Sequence, residues 1–445
     1  MRGLLLCACV GSVIGIASPA LGDVVTEWNQ ALLGAVATNG TPPPAAARAM
    51  AMTHLALFDA VNAIDQTHTP YRWSGGAAAG TSKQAAAASA AHGVMSHLFG
   101  ANASFDALRD AHLAAIPDGP AKANGIALGQ AVGADMISTR TGDGSTAPSG
   151  YTPGSSPGQW RPTPPNFPNP ALPQWANLTP FGMTSNSQFR PAPPPALNSA
   201  AYAQAWNEVR EIGSATSATR TQEQTDIARV WVGGPGTATP PGQWNEIASQ
   251  IGQARGQTME QNARMFALLG LAVADAGVVA WDCKYTYDLW RPITAIREGD
   301  TDGNPDTFAV PGWSPLLSPT PNHPTYVSGH STFSSAAASM LALFLGTDNV
   351  TFTFTNEAEA PGVVRQFSSL SGAANEAGLS RIYGGIHFSF DNVAGLECGA
   401  ALANWSFDRY LRPIPTPGSL MRLLMLGLAL RRRRSSAASF RAINH

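Results

Sequence analysis

Apolar residues recur at steps of three and four along most of this chain, the period that gathers them on one face of a helix. Between Ala45 and Ile64 the set is Met50, Met52, Leu55, Leu57, Phe58, Val61 and Ile64. The alanine-rich stretch from Gln84 to Phe99 continues it, as do Phe105 to Ala115 and Ala121 to Ile137. The alternation that marks strands is almost absent, with Val350 to Thr355 as the one short candidate. Only 13% of the residues are charged and alanine is abundant, which suits helices packed closely through small side chains. These patterns predict an all-α protein of helical bundles, and 445 residues suffice to bury a substantial core. The net charge of −2 offers no general attraction for nucleic acid.

One stretch departs from the helical pattern. Residues 151–200 hold thirteen of the thirty-five prolines, interleaved with Trp160, Phe167, Trp175 and Phe181. Proline density of that order excludes regular helix, and the aromatics suggest an irregular segment packed onto the helical body. The chain therefore divides into N-terminal helices (28–141), a proline-rich segment (142–198) and a C-terminal bundle (199–411). Within the last, helices are expected at Ser199 to Ile212, Gln257 to Asp282, His330 to Phe344 and Ala394 to Leu411. Thr221 with Gln224 makes a capping box that opens a further one.

Both ends read as processing segments. Arg2, the apolar run Leu4 to Ile16 and Ala20-Leu21-Gly22 are ordered as in a secretory signal peptide, residues 1–22, with Asp23 starting the mature chain. Export to the periplasm, the cell surface or the medium is the expected localisation. Only Cys283 and Cys398 then survive cleavage, either as one disulfide or as two thiols. Residues 412–445 carry a proline-rich break, an apolar run interrupted by Arg422, and Arg431 to Arg434. That order resembles the PEP-CTERM sorting tail of exported bacterial proteins, with Pro415-Thr416-Pro417 in place of Pro-Glu-Pro. The apolar run falls short of the ~20 residues that span a bilayer, so transient membrane contact is the expectation.

Three short stretches in the C-terminal bundle carry chemistry. Lys284 is followed after six residues by Arg291-Pro292; then comes Ser328-Gly329-His330; then Ser380-Arg381, His387 and Asp391. With three lysines and nine histidines in the whole chain, such spacings are not expected by chance. A seven-residue step is two helical turns, so Lys284 and Arg291 can share a face before Pro292 ends the element. Ser328 and Gly329 precede an alanine-rich run, which puts them at a helix N-terminus where free N–H groups attract an anion. Asp391, four residues beyond His387, can fix the imidazole's tautomer. Three cations with hydroxyl and backbone donors suit a bound phosphate or vanadate, and two histidines suit covalent attachment and proton transfer. No set of histidines, thiolates and carboxylates recurs at zinc-ligand spacing.

This constellation resembles the shared active site of the vanadium-dependent haloperoxidases and the type 2 phosphatidic acid phosphatases, over roughly Asn29 to Tyr410. The resemblance implies an all-helical fold. It also implies that Lys284, Arg291, Ser328, Gly329 and Arg381 hold the oxyanion, that His387 bonds to vanadium or attacks phosphorus, and that His330 is the acid–base group. Those families usually have proline before the serine, where this chain has Val327. Trp281, three residues before Lys284, and the run Gly158-Gln159-Trp160-Arg161-Pro162 are similar to bacterial haloperoxidase-like proteins. The implied activity is halide oxidation by hydrogen peroxide with a vanadate cofactor, small organic molecules being further substrates. A secreted acid phosphatase working through a phosphohistidine is the alternative. A non-catalytic surface protein keeping the fold is a third reading, which the mutual repulsion of three converging cations argues against. His323, in Pro321-Asn322-His323-Pro324, matches a position beside the vanadate that is commonly histidine in bromoperoxidases. An imidazole there is expected to titrate near neutral pH and to favour bromide and iodide over chloride.

Overall fold

The computed structural model describes residues 23–415, so the signal-peptide reading and the tail beyond Pro415 lie outside the described residues. Thirteen α-helices and one two-stranded ribbon are present among them. The N-terminal group comprises α1 (Val24–Thr38), α2 (Pro43–Asp65), α3 (Lys83–Phe99), α4 (Ala103–Ala114) and α5 (Pro120–Arg140). After the proline-rich segment come α6 (Ala200–Ile212), α7 (Gln222–Val230), α8 (Thr239–Ala254), α9 (Met259–Tyr287) and α10 (Pro292–Arg297). Helix α11 (Gly329–Leu345) leads to strands β1 (Phe352–Thr355) and β2 (Val364–Phe367), then α12 (Leu370–Tyr383) and α13 (Ser389–Phe407).

Helix α9 is the axis of the fold. Its N-terminus is closed by a capping box in which Thr258 and Gln261 each bond the other's backbone, and it is buried from Asn262 to Lys284 apart from Arg264. It packs against α2, α11 and α13, and glycines set the distance of approach. A Cβ on Gly399 of α13 would lie 2.5 Å from the Thr332 carbonyl oxygen of α11, closer than any side chain is tolerated. That small-residue seam fixes the start of α11, where the serine–glycine–histidine motif sits.

The proline-rich segment is held by named bonds. The buried Asp275 carboxylate of α9 accepts from the backbone N–H groups of Phe181, Gly182 and Met183 at 2.7, 2.7 and 2.9 Å. Trp160 and Trp175 are buried, while the Phe167 ring is 62% exposed and forms no part of the core. Two antiparallel backbone bonds, Trp160 N–H to Asp288 and Trp290 N–H to Gly158, tie the segment to the end of α9.

Several boundaries differ from the sequence expectation. Helix α9 runs on to Tyr287 and turns at Asp288, whose φ is +50°, and Pro292 opens α10 instead of closing the element before it. Proline at the first helical position loses no intrahelical bond, so the same residue marks a start. Arg291 is thus the cap of α10 and not a second cation on the helix of Lys284. Helix α8 begins with Pro240-Pro241 in its first turn, a pattern that hides a helix for the same reason. The expected strand exists as β1, and β2 pairs with it antiparallel. Cys283 and Cys398 are buried free thiols. Arg412 and Ile414 pair with Thr69 and Thr67, so the first residues of the expected tail lie against the helical body.

His54 of α2 gives a direct test of this core. It is fully buried, with Nε2 2.9 Å from Asn29 Oδ1 and its ring stacked on Phe266 at 4.9 Å. Burial lowers its pKa from 6.5 to about 3. The folded value lies below the unfolded one, so this stability is complete above pH 6.5 and falls by about 1.4 kcal/mol per pH unit below it. Between pH 7 and pH 5, His54→Gln should therefore lose about 2 kcal/mol less stability than the parent. Parallel stability curves from urea titrations would refute this.

Candidate oxyanion-binding site

Three cations are removed from water at one end of α9. Lys284, Arg291 and Arg381 are at most 1% exposed, and Asp391 is wholly buried beside them. Each cation bonds at least one backbone carbonyl. Lys284 Nζ donates to the carbonyl oxygens of Pro324, Thr325 and Val327 at 3.0, 2.9 and 2.5 Å. Three acceptors on one nitrogen use all three ammonium protons, although burial and the neighbouring Arg291 push its pKa well down. Lys284 therefore supplies charge and fixes the 324–327 turn. In this arrangement all three of its protons are committed to backbone carbonyls.

Arg291 donates through Nε to the His323 carbonyl at 2.7 Å and through Nη1 to the Ile386 carbonyl at 2.8 Å. Its Nη1 is also 3.1 Å from His387 Nε2, and its Nη2 is 2.9 Å from His323 Nδ1. Arg381 donates to Ser380 Oγ and to the Ala228 carbonyl at 2.9 and 2.8 Å; its Nη1 has no hydrogen-bond partner among the described residues. Burial lowers both guanidinium pKa values to about 9, so both remain charged at neutral pH.

The loop after α12 brings His387 to Asp391, as the four-residue spacing predicts. His387 Nδ1 is 2.8 Å from Asp391 Oδ2, which also accepts from the Thr325 hydroxyl and the Phe388 N–H. A carboxylate there holds the proton on Nδ1 and leaves the Nε2 lone pair facing Arg291. Asp391 Oδ1 is buried without a partner, and burial raises this carboxyl's pKa to about 6. Ser328 caps α11 by accepting from the Ser331 N–H at 3.3 Å, which keeps its own hydroxyl proton free to donate. The N–H groups of Gly329 and His330 begin the helix with no protein partner among the described residues, the usual state of a first turn.

A cavity of about 700 Å³ opens over these groups, with His323, Gly329, His330, Arg381 and His387 among its lining residues. Lys284, Arg291, Ser328 and Asp391 lie behind that lining. His330 Nε2–H donates to the Val232 carbonyl at 3.0 Å, so its Nδ1 is the nitrogen left for proton exchange. Burial, with Arg381 next to it, holds His330 neutral well below the ordinary imidazole range. His323 lies 4.9 Å from the Trp281 ring, and burial with Lys284 and Arg291 likewise depresses its pKa. Burial first, and then the two nearby positive charges, push it away from the titration near neutral pH that the sequence suggests.

Thr325, the three carbonyls on Lys284 and the cavity residue Glu359 were not legible as site groups. Backbone acceptors carry no sequence signal, and Glu359 reaches the cavity from the connection between β1 and β2. The donor set fits a tetrahedral oxyanion such as vanadate or phosphate. Lys284 and Arg291 are buried near the Asp391 carboxylate and Arg381 near that of Glu359, and a hydroxyl, two backbone N–H groups and Arg381 Nη1 are free to donate.

A family model described as the VCPO second helical-bundle domain matches residues 264–415, a range that contains every candidate site residue. The chain is 27% identical over 469 aligned positions to vanadium chloroperoxidase of Curvularia inaequalis, covering 80% of this chain and 76% of that protein. Among solved structures, a bacterial vanadium-dependent iodoperoxidase aligns with a TM-score of 0.79 and 26% identity, over 88% of this chain and 98% of the other. A holo-type bacterial vanadium-dependent chloroperoxidase shares the fold, with a TM-score of 0.64 and 18% identity over 83% and 93% of the two chains.

Removing the Lys284 ammonium strands three buried carbonyls at once. Each lost donor costs roughly 1 to 3 kcal/mol, so Lys284→Met should lower unfolding free energy by about 3 kcal/mol or more. A urea midpoint implying a loss under about 1 kcal/mol would show that those carbonyls find other donors.

Proposed function

Because this chain belongs to the vanadium haloperoxidase superfamily, we propose that it is a vanadate-dependent haloperoxidase oxidising bromide or iodide with hydrogen peroxide. The observation that carries this reading is the group of three buried cations around a histidine whose Nδ1–H is held by Asp391. In this reading Arg291, Arg381, the Ser328 hydroxyl and the Gly329 N–H hold vanadate, Lys284 adds charge from behind, and His387 Nε2 is the covalent ligand. Bound vanadate supplies the Lewis-acidic centre that makes peroxide electrophilic toward halide. His330, neutral in the anion-free site, accepts a proton at Nδ1; an anion beside it raises its pKa and lets it return that proton. His323 contributes as a neutral acceptor for Arg291 and part of the cavity floor, and the likeness to an iodoperoxidase supports the softer halides.

The test uses metal-free protein. Orthovanadate should confer bromide-dependent consumption of peroxide and raise the melting temperature, since a ligand at about 100 times its Kd adds roughly 2.7 kcal/mol to the folded state. Hydrolysis of an aryl phosphate without vanadium, inhibited by vanadate, would instead establish the phosphohistidine alternative on the same cage. Neither result would remove the oxyanion assignment from these residues.

His387→Ala should abolish vanadate retention on gel filtration. His330→Ala should retain the anion and lose about 10² to 10⁴ in turnover. Equal loss of binding in the two variants would show that their roles do not separate. With His323 neutral, His323→Phe should shift the bromide-to-iodide rate ratio and leave the rate profile between pH 5 and pH 8 in place; an unchanged ratio would exclude it from halide selection.

Export is part of the same reading. The start of α1 at Val24, capped by the Asp23 carboxylate, supports a mature chain that begins near Asp23. Secreted protein whose first residue lies well inside α1 would exclude that start.

A further inference from the structure

Of the described residues that line the cavity over His330 and His387, Glu359 is the one carboxylate and Arg381 the one guanidinium. The connection between β1 and β2 carries Glu359. Asn356 anchors that connection by donating from Nδ2 to the Val230 carbonyl at 2.9 Å, and the Glu359 N–H returns to the Asn356 carbonyl. A Cβ on Gly234 would lie 2.8 Å from Glu359 Oε1, so the carboxylate rests against bare backbone there. Residues 228–234 thus serve three groups of the site. Ala228 accepts from Arg381, Val232 accepts from His330, and Gly234 makes room for Glu359.

The Glu359 carboxylate has no hydrogen bond or ion pair among the described residues, and Arg381 bonds Ser380 and Ala228 instead of it. Its charge still acts on Arg381, where it opposes the loss of charge that burial favours. Arg381 is 1% exposed and Glu359 is half-buried, so the carboxylate is the nearer of the two to solvent. An unpaired negative charge beside an anion site weakens every anion the site takes, in proportion to the anion's own charge. The penalty also has a direction. In attack by His387 on a phosphate ester, the leaving oxygen departs opposite His387 and must face His330, the acid–base group. That is the side on which Val232 and Gly234 place Glu359.

We propose that Glu359 determines which anions this site accepts, admitting small monoanions such as vanadate and halide and turning away the dianionic head of a phosphate monoester. The inference rests on the haloperoxidase reading, whose reactants are halide and uncharged peroxide on orthovanadate, a monoanion near neutral pH. A phosphate monoester carries about −1.5 to −2 charge there. Its hydrolysis would form a bond from His387 nitrogen to phosphorus as the ester phosphorus–oxygen bond breaks. The leaving oxygen would take a proton from His330, and water would then cleave the nitrogen–phosphorus bond to release phosphate. Glu359 opposes that sequence at binding and again as negative charge grows on the leaving oxygen. Halide oxidation ends in hypohalous acid, which is uncharged.

The experiment compares the full chain, free of vanadium, with Glu359→Gln and Glu359→Asp. Calorimetric titration at neutral pH measures affinity for orthovanadate, the monoanion, and for α,α-difluorobenzylphosphonate, a dianion that water does not cleave. Removing the charge in Glu359→Gln should tighten the monoanion about threefold and the dianion about tenfold, since the repulsion energy is proportional to ligand charge. The same variant should hydrolyse 4-nitrophenyl phosphate with kcat/KM raised about tenfold, ~1.4 kcal/mol. Glu359→Asp, which keeps the charge, should hold both affinities near the parent's, and added salt should shrink the gain in Glu359→Gln. Equal changes for the two anions, or none, in a chain whose vanadate-loaded parent oxidises bromide would overturn the proposal and leave the haloperoxidase reading intact. A parent that hydrolyses the aryl phosphate and shows no bromide oxidation when loaded with vanadate would overturn both.

Discussion

Three positive charges held out of water constrain everything around them. Desolvating an ion costs several kcal/mol even after relaxation, and Asp391 beside Lys284 and Arg291, with Glu359 near Arg381, offsets only part of that cost. The remainder comes from backbone dipoles. Lys284 takes the carbonyls of Pro324, Thr325 and Val327, Arg291 those of His323 and Ile386, and Arg381 that of Ala228. Each cation thereby staples loops that are distant in sequence, so the charge that would attract an anion also builds the turn that receives it. Such preorganised donors need no rearrangement when charge arrives.

The geometry around His387 follows from that framework. Its backbone is fixed by Arg291 through the Ile386 carbonyl, and its ring by Asp391 at the start of α13. Helix α13 is in turn set against α11 by glycines whose replacement would collide with the Ser328 and Thr332 carbonyls. Imidazole, serine cap and helix N-terminus are thus positioned by one helix pair. The proline-rich segment closes the opposite side, held by the Asp275 carboxylate on α9. Its irregular backbone is stable because those otherwise unpaired N–H groups find a buried acceptor.

The sequence made some of this plain and concealed the rest, for physical reasons. Periodicity located α2, α3, α6, α9 and α11, and the Thr221–Gln224 capping box of α7 forms as its spacing implies. His387 and Asp391 were legible because a four-residue step at the entry to a helix is a local relation. Arg291 was misplaced because proline terminates one helix and initiates another with the same chemistry. Helix α8 was missed on the same account. The cavity wall was invisible, since it assembles from residues as far apart as Pro44 and Leu317 that only tertiary packing brings together. The depressed pKa of His323 arises likewise from burial in the folded chain, with Lys284 and Arg291, charges that lie nearby in space, adding to it.

The two free thiols carry a consequence for durability. Cys283 immediately precedes Lys284, in the region where the proposed chemistry generates an oxidant. Peroxide and hypohalous acid attack the thiolate far faster than the thiol. Burial drives the Cys398 pKa up to about 12 and that of Cys283 higher still, so both sulfurs stay protonated and shielded at any physiological pH. Met50, Met52, Met95, Met265 and Met340 are buried as well. Under the proposed chemistry, the same dense packing that holds the helices together would also keep these sulfurs away from the oxidant.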